Sequence, residues 1–503
     1  MTRGSATSIA WDKVFKNLVS RVDKINHASL VQGLSDWIDQ GLLPRGARLP
    51  STRTIAQKLG VGRNTVLFAL GCLADNGYLV SRERSGFFIG GAGPNRVRGK
   101  EKIHLEAQPF NWQGRLAGRH LATPDSPPAY IANGREISFR LGEFDLELFP
   151  TSQWRECERA ASGLREIARW GRDMIDGDDS GLVEQIRMHI LPMSGIWARP
   201  EEILITVGAQ EGRYLISRLL AESGARVGIE NPCSLDLART VRLTGAETVA
   251  LDVDDKGVVP SAAMETCDAI VITPIHQNPT TVPLSPQRRR EILTRARRSD
   301  FVVVEDTFET EFVHENGGPP ALKSDDEDGR VIYIGTLSRL MAPGLRVGFI
   351  VAPPIVIEHL RALRRLIHRH PPANNQRSLA IFIERGYYRR FIRRTTQALE
   401  ERGAALTAAA RRHLPDFQWR HQRGTSSFWC EMPHTIDSDT LAKAAREGGV
   451  IVEPGKRFFQ AGNRADNCLR LTVAGVREQQ IHKGIRVLGE ARMRIGSRSL
   501  MIA

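Results

Sequence analysis

Between residues 203 and 351, six short runs rich in β-branched and apolar residues alternate with stretches of helical spacing, and this alternation restricts the fold more than any other feature of the chain. The runs are Ile203 to Thr206, Arg226 to Glu230, Ala269 to Thr273, Phe301 to Glu305, Val331 to Gly335 and Leu345 to Val351. Parallel strands need a long crossover between them, usually a helix, so the pattern predicts a large α/β domain with a mostly parallel sheet. Ligands of such sheets gather at the strands' carboxyl ends, so the residues just after each run are the candidates for chemistry.

The first ninety residues follow a different rhythm. Leu30, Leu34, Trp37 and Ile38 recur at helical spacing between Ala28 and Gln40, and Gly41 and Pro44 close that stretch. Pro50-Ser51 supplies an N-cap for Thr52 to Leu59, Gly60 ends it, and Gly62-Arg63-Asn64-Thr65 opens a third helix carrying Val66, Leu70 and Leu73 on one face. Tyr78 to Arg82, a turn at Arg84-Ser85-Gly86, and Phe87 to Ile89 then read as a β-hairpin. A helix, a helix-turn-helix and a hairpin outline a small α+β winged helix-turn-helix.

Charge points the same way. The chain carries a net +13, and residues 1–100 hold 15 Lys/Arg against 6 Asp/Glu, so +9 of it sits in the first fifth of 503 residues. Such an excess suits a polyanion, whose counterions each Lys or Arg releases on contact. Arg63, Asn64 and Thr65 stand where the third helix would enter a major groove, and Arg53 in the first turn of the second. Asp12 and Lys13 interrupt any signal-peptide core, and no window approaches about 20 apolar residues, so the expectation is a soluble cytoplasmic protein with no membrane partner. Six cysteines without a C-x-x-C pair predict reduced structural thiols, neither a disulfide framework nor a zinc site.

The strings Gly41-Leu42-Leu43-Pro44, Arg48 to Arg53, Leu59 to Val66 and Leu73 to Tyr78 resemble the winged-helix domain of GntR-type transcription regulators. The resemblance implies double-stranded DNA as partner, met by Arg53, Arg63, Asn64, Thr65 and the wing Gly86. Beyond residue 137, Val207-Gly208-Ala209-Gln210, Thr273 to Thr280, Asp306-Thr307-Phe308, Thr336-Leu337-Ser338-Arg339 and Pro343 to Arg346 resemble, in order and spacing, the fold-type I aminotransferases that use pyridoxal 5'-phosphate. The two together resemble the MocR subfamily of regulators. Carried over by motif, Gly208, Ala209, Thr336, Ser338 and Arg346 match the phosphate cup, and Asp306 the carboxylate on the pyridine nitrogen. Asn278 matches the amide at the phenolic oxygen, and Arg470 the arginine that grips a substrate carboxylate.

Four contact positions depart from that pattern. Arg339 stands where the family places its Schiff-base lysine; a guanidinium is protonated at physiological pH and offers no free amine, so transamination is not expected. Phe308 replaces a tyrosine, Asn231-Pro232-Cys233-Ser234 lacks the aromatic that stacks on the ring, and in Ile175-Asp176-Gly177-Asp178 Asp176 stands for a phosphate-facing tyrosine. The leading reading is a homodimeric transcriptional regulator whose large domain senses a small anionic effector, with pyridoxal 5'-phosphate bound non-covalently at most. An active aminotransferase with an accessory DNA-binding domain is the alternative, for which Lys456 is the one lysine considered as a distant substitute. Retention of the large domain for dimerisation alone is a third.

The expected boundaries are 20–90 for the DNA-binding domain, 91–135 for a linker broken by Gly and Pro, and 136–495 for the aminotransferase-like domain. The arginines of 288–298, 361–369 and 389–394 read as solvated helix faces. Of Glu305, Asp306, Glu309 and Glu311, only Asp306 is expected to face the pocket.

Overall fold

The computed structural model describes residues 10–19, 25–83, 85–90, 111–112, 115, 136–221, 224–315, 317–337, 339, 341–460 and 466–502. The expected linker lies almost wholly outside them, as does Ser338. The chain divides into two compact units, Met1–Pro127 and Pro128–Ala503.

In the first unit, helices α1 (Trp11–Val19), α2 (His27–Asp39), α3 (Thr52–Leu59) and α4 (Arg63–Asp75) precede strands β1 (Leu79–Arg82) and β2 (Gly86–Ile89). The starts and stops follow local chemistry. The Asn26 side chain and Ser29 form a reciprocal capping box on α2, and Ser51 Oγ accepts from the Thr54 N–H at 3.1 Å to cap α3. Gly60 closes α3 at φ +65°, where a side chain would be strained. Leu30, Leu34, Ile55, Val66, Leu70 and Leu73 meet in one core. The sequence pattern did not anticipate α1, which adds Phe15 and Leu18 to that core. The hairpin pairs Leu79 with Ile89 and Arg82 with Gly86.

The second unit begins with β3 (Ile137–Ser138) and α5 (Thr151–Ala161), α6 (Leu164–Trp170) and α7 (Ser180–Gln185). Its central sheet is built from β4 (Ile203–Thr206), β5 (Arg226–Asn231), β6 (Glu247–Asp254), β7 (Gly257–Val258), β8 (Ala269–Ile272), β9 (Val302–Asp306), β10 (Val331–Thr336) and β11 (Gly348–Val351). Between these strands run α8 (Gly208–Leu220), α9 (Leu235–Leu243), α10 (Pro286–Ser299) and α11 (Thr310–Glu315). The spatial order is β4-β11-β10-β9-β8-β5-β6-β7. The links β10–β9–β8–β5–β6 are parallel, whereas β11 runs antiparallel to both β10 and β4. The last expected run starts three residues late because Pro343–Leu345 form a 3-10 turn and Arg346 takes φ +52°. Strands β6 and β7 escaped the sequence pattern: β6 is largely half-exposed and lacks a continuous apolar run.

After α12 (Pro354–His368), α13 (Ala373–Glu384) and α14 (Tyr387–His413), a second sheet is assembled with the order β12-β13-β16-β15. Its strands are β12 (Gln418–His421), β13 (Ser427–Glu431), β15 (Glu453–Pro454) and β16 (Cys468–Thr472). Here β14 (Val450–Ile451) pairs instead with β3, α15 (Ser438–Glu447) precedes it, and α16 (Glu478–Ile502) closes the chain.

Two arginines correct the expectation of solvated helix faces. Arg289 on α10 is buried and reaches Asp325 at 2.9 Å. Arg364 on α12 has no exposed surface and pairs with Asp178 at 2.7 Å. An arginine tolerates such burial when its fork is filled by carboxylate and carbonyl oxygens. None of the described helices is long and apolar enough to cross a membrane. The cysteines are unbridged.

Candidate functional site

On the first unit, Arg53, Arg63, Asn64 and Gly86 are exposed and Thr65 half-buried, at the start of α3, the start of α4 and the hairpin turn. Arg63 Nε lies 3.4 Å from Thr52 Oγ1, bringing the amino ends of α3 and α4 together. Neither Arg53 nor Arg63 has an ion-pair partner among the described residues, leaving their charge available to a phosphate or a base edge. Gly86 opens β2 at φ +92°.

In the second unit, strand order builds a cup at the start of α8. Because β11 lies between β4 and β10, Gly348 is paired with Thr206 on one side and Thr336 on the other. A Cβ at Gly348 would stand 2.6 Å from the Gly208 carbonyl carbon and 2.8 Å from the Ala209 nitrogen. Backbone is thus packed directly against backbone where α8 begins. Gly208 itself, at φ +69°, faces the Arg346 guanidinium, whose Nη2 donates to Val207 O at 3.2 Å. Free N–H groups and the positive end of a 13-residue helix favour an anion here. One internal anion already attends it: Glu211 accepts from the Val207 N–H and pairs with His368.

Beside the cup lies a buried charge cluster. Asp306, at the end of β9, accepts from Arg213 Nε at 2.7 Å, with both side chains more than 90% buried. Its Oδ1 is buried and unpartnered. Arg213 also donates to Gln210 at 3.1 Å. Phe308, two residues on, meets two side chains: the Arg339 guanidinium lies 4.5 Å from its ring centre, and the His276 ring stacks 5.5 Å away with 24° between the planes. Burial, followed by the neighbouring Arg213 charge, pushes the Arg339 guanidinium down to about 10, while Asp306, Glu309 and Glu311 oppose the shift. It is still protonated at neutral pH, and its Nε is buried without a partner. His276 is held below its ordinary range by burial; Nδ1 lies 2.8 Å from Gln422 Oε1, and Nε2 faces Glu309 at 3.7 Å. Glu309 in turn accepts from the Ser426 N–H at 2.9 Å.

A third station holds Arg470. Its Nε and Nη2 lie 3.0 Å from Glu453 Oε2 and its Nη1 3.0 Å from Asn278 Oδ1, while the guanidinium covers Phe458 at 4.4 Å.

The expected site residues thus converge in part. Gly208, Ala209, Thr336 and Arg346 surround the cup, and Asn278 meets Arg470 directly. Of the other departures, Asp176 is exposed and lies 3.6 Å from Arg365, while Asp178 two residues on is buried between Arg361 at 2.9 Å and Arg364 at 2.7 Å. Cys233 is buried, which pushes its thiol up to about 12. Lys456 is paired with Asp466 at 3.2 Å. Glu305 points away from the site and accepts from the Leu322 and Lys323 N–H groups, both at 2.8 Å. Sequence reasoning missed Arg213, Glu309 and Glu453. A signal existed for Arg213 alone: it is a charged residue on the apolar face of α8, between the buried Ala209 and Ile216.

Pyridoxal 5'-phosphate fits this arrangement at two ends and fails at a third. The cup suits its phosphate, and the unpartnered Asp306 Oδ1 suits a protonated ring nitrogen. Arg339 offers no amine for a covalent link. Among the described residues no group of His, Cys, Asp and Glu could hold a metal ion.

Two family models match the chain: Bacterial regulatory proteins, gntR family, over residues 26–89, and Aminotransferase class I and II over residues 188–488. The HTH-type transcriptional regulator TauR of Rhodobacter capsulatus is 37% identical over 92% of this chain and 95% of its own length. The Probable rhizopine catabolism regulatory protein MocR of Rhizobium meliloti is 27% identical over 92% and 93%. Among solved structures, the α-aminoadipate aminotransferase LysN of Thermus thermophilus, complexed with N-(5'-phosphopyridoxyl)-L-leucine, superposes with a TM-score of 0.65 at 27% identity, covering 71% of this chain and 92% of that one.

Proposed function

The chain belongs to the MocR-type branch of the GntR regulators, a winged helix followed by an aminotransferase-like domain, and from that premise we propose that it is a DNA-binding transcriptional regulator whose large domain senses a small anionic effector without transaminase activity. The carrying observation is the contrast within one site. Its anion-binding parts, the cup at Gly208 and the Arg470 fork, are retained, while the amine needed for covalent chemistry is replaced by Arg339.

In this reading Arg53, Arg63, Asn64, Thr65 and Gly86 meet a DNA operator, with phosphate contacts setting affinity and the amino end of α4 reading bases. Gly208, Ala209, Thr336, Ser338 and Arg346 hold an oxyanion, and Arg339 serves as a permanent cation beside it. When pyridoxal 5'-phosphate is the ligand, it supplies an electron-withdrawing ring, held non-covalently with its phosphate in the cup and its ring nitrogen at Asp306. Arg213 shares that Asp306 carboxylate, which weakens its hold on a ring proton and works against carbanion chemistry. We place the protein in the cytoplasm as a homodimer, two recognition helices addressing two half-sites.

The test is Arg63→Ala in the full chain, assayed against its own promoter region over a salt series. Loss of one base or phosphate contact lowers affinity by about 1–3 kcal/mol, roughly 5- to 150-fold. Unchanged binding refutes the assignment of α4.

A further inference from the structure

The arginine assigned to an effector's carboxylate already holds one from its own chain. Glu453 and Arg470 are register partners across β15 and β16. Both side chains are shielded, with 17% and 6% of their surface exposed. The same Glu453 oxygen, Oε2, accepts from Arg470 at 3.0 Å and from the backbone N–H of Leu141 at 3.1 Å. This is not the geometry in which a guanidinium binds a carboxylate best, because one oxygen serves Nε, Nη2 and the Leu141 N–H together. A free carboxylate presenting both oxygens would make two parallel bonds to that fork.

Leu141 belongs to the segment that enters the large domain after residues 116–135. Ile137 N–H donates to Gly449 O and Phe139 N–H to Ile451 O, both at 2.9 Å, and Thr472 N–H donates to Phe139 O at 2.8 Å. Beyond Phe139, Glu453 pins the segment through Leu141. One carboxylate therefore couples the ligand-gripping arginine to the backbone that leads, through the chain, to the DNA-binding unit.

We infer that Glu453 is an internal stand-in for the effector, and that the effector is a small carboxylate which takes its place on Arg470 and thereby frees the Leu141 N–H. The exchange swaps one oxyanion for another on a guanidinium and needs no covalent step. It rests on the reading of the large domain as an effector sensor, and it adds the ligand's chemistry and the first bond to break. The stand-in lowers apparent affinity by the fraction of molecules in which Arg470 is already occupied, so removing its charge tightens binding.

The experiment uses the full chain, wild type, Glu453→Gln and Arg470→Ala, with L-alanine as the carboxylate probe. Calorimetric titration measures affinity, and amide hydrogen exchange follows residues 139–145. Glu453→Gln is expected to bind L-alanine about tenfold tighter or more, the scale of exchanging a charge-assisted hydrogen bond for a neutral one. Arg470→Ala should lose binding, and saturating wild type with L-alanine should speed exchange at Leu141. Binding that needs Arg470 but is unchanged in Glu453→Gln, with exchange at Leu141 unmoved by ligand, overturns the stand-in while leaving the sensor intact. Absence of binding to all three proteins overturns both. Should Glu453→Gln not fold, the exchange comparison in wild type decides by itself.

Discussion

Arg213→Leu isolates the least expected interaction in the site. Arg213 and Asp306 are 2.7 Å apart and over 90% buried, so solvent screens the pair little. Leucine fills most of the volume but leaves the Asp306 carboxylate buried with its Oδ1 already unpartnered. Breaking such a pair from one side costs about 3–5 kcal/mol. A destabilisation of about 3–5 kcal/mol is therefore expected for the large domain. Urea unfolding of the full chain, followed by tryptophan fluorescence at pH 7, measures it. The double variant Arg213→Leu, Asp306→Leu should regain most of the loss, because removing both charges removes the stranded one. A single variant within about 1 kcal/mol of wild type at pH 7, or a double variant worse than the single, refutes the claim that this pair is mutually required.

Two further outcomes follow from the same site, beside those stated for Arg63 and Glu453. Burial pushes Glu230 up to about 7, against bonds from Thr273 at 2.5 Å and Gln277 at 3.1 Å that favour its charge. A carboxyl raised above its unfolded value contributes stability below about pH 4.5 that is lost as pH rises through about 7. Glu230→Gln, the isostere of the protonated form, should therefore melt near wild type at pH 4.5 and be stabilised by about 1–3 kcal/mol at pH 8; equal melting at both pH values contradicts the assignment. Arg339→Lys restores an amine beside Phe308. After treatment with pyridoxal 5'-phosphate and borohydride, this variant should carry a covalent adduct at position 339 by peptide mass, and wild type none there. A wild-type adduct at that position is chemically excluded, so an adduct elsewhere that abolishes ligand binding would sink the non-covalent reading.

Much of the fold was legible because its signals are local. Caps at Ser51 and Gly60 bound α3 at the residues expected, and β4 begins and ends where its apolar run does. Strand β6 and helix α1 were not legible, since a largely exposed strand lacks a continuous apolar run and α1 is short and lies before the recognisable pattern. The motif residues of the cup were readable one by one. Their convergence was not, because it depends on β11 inserting antiparallel between β4 and β10, a pairing that no local spacing encodes.

What the sequence determined alone is the two-unit plan, the basic first unit with Arg53 and Arg63 at helix starts, and the loss of an amine at position 339, since each is a property of residue identity and short-range periodicity. Partnership was decided by the tertiary structure. Arg213 lies 93 positions from Asp306, Arg364 lies 186 from Asp178, and Arg470 lies 192 from Asn278. Buried charges must find oppositely charged or hydrogen-bonding partners wherever the fold brings them, because leaving one unpaired costs several kcal/mol, and those partners lie too far along the chain for local spacing to reveal.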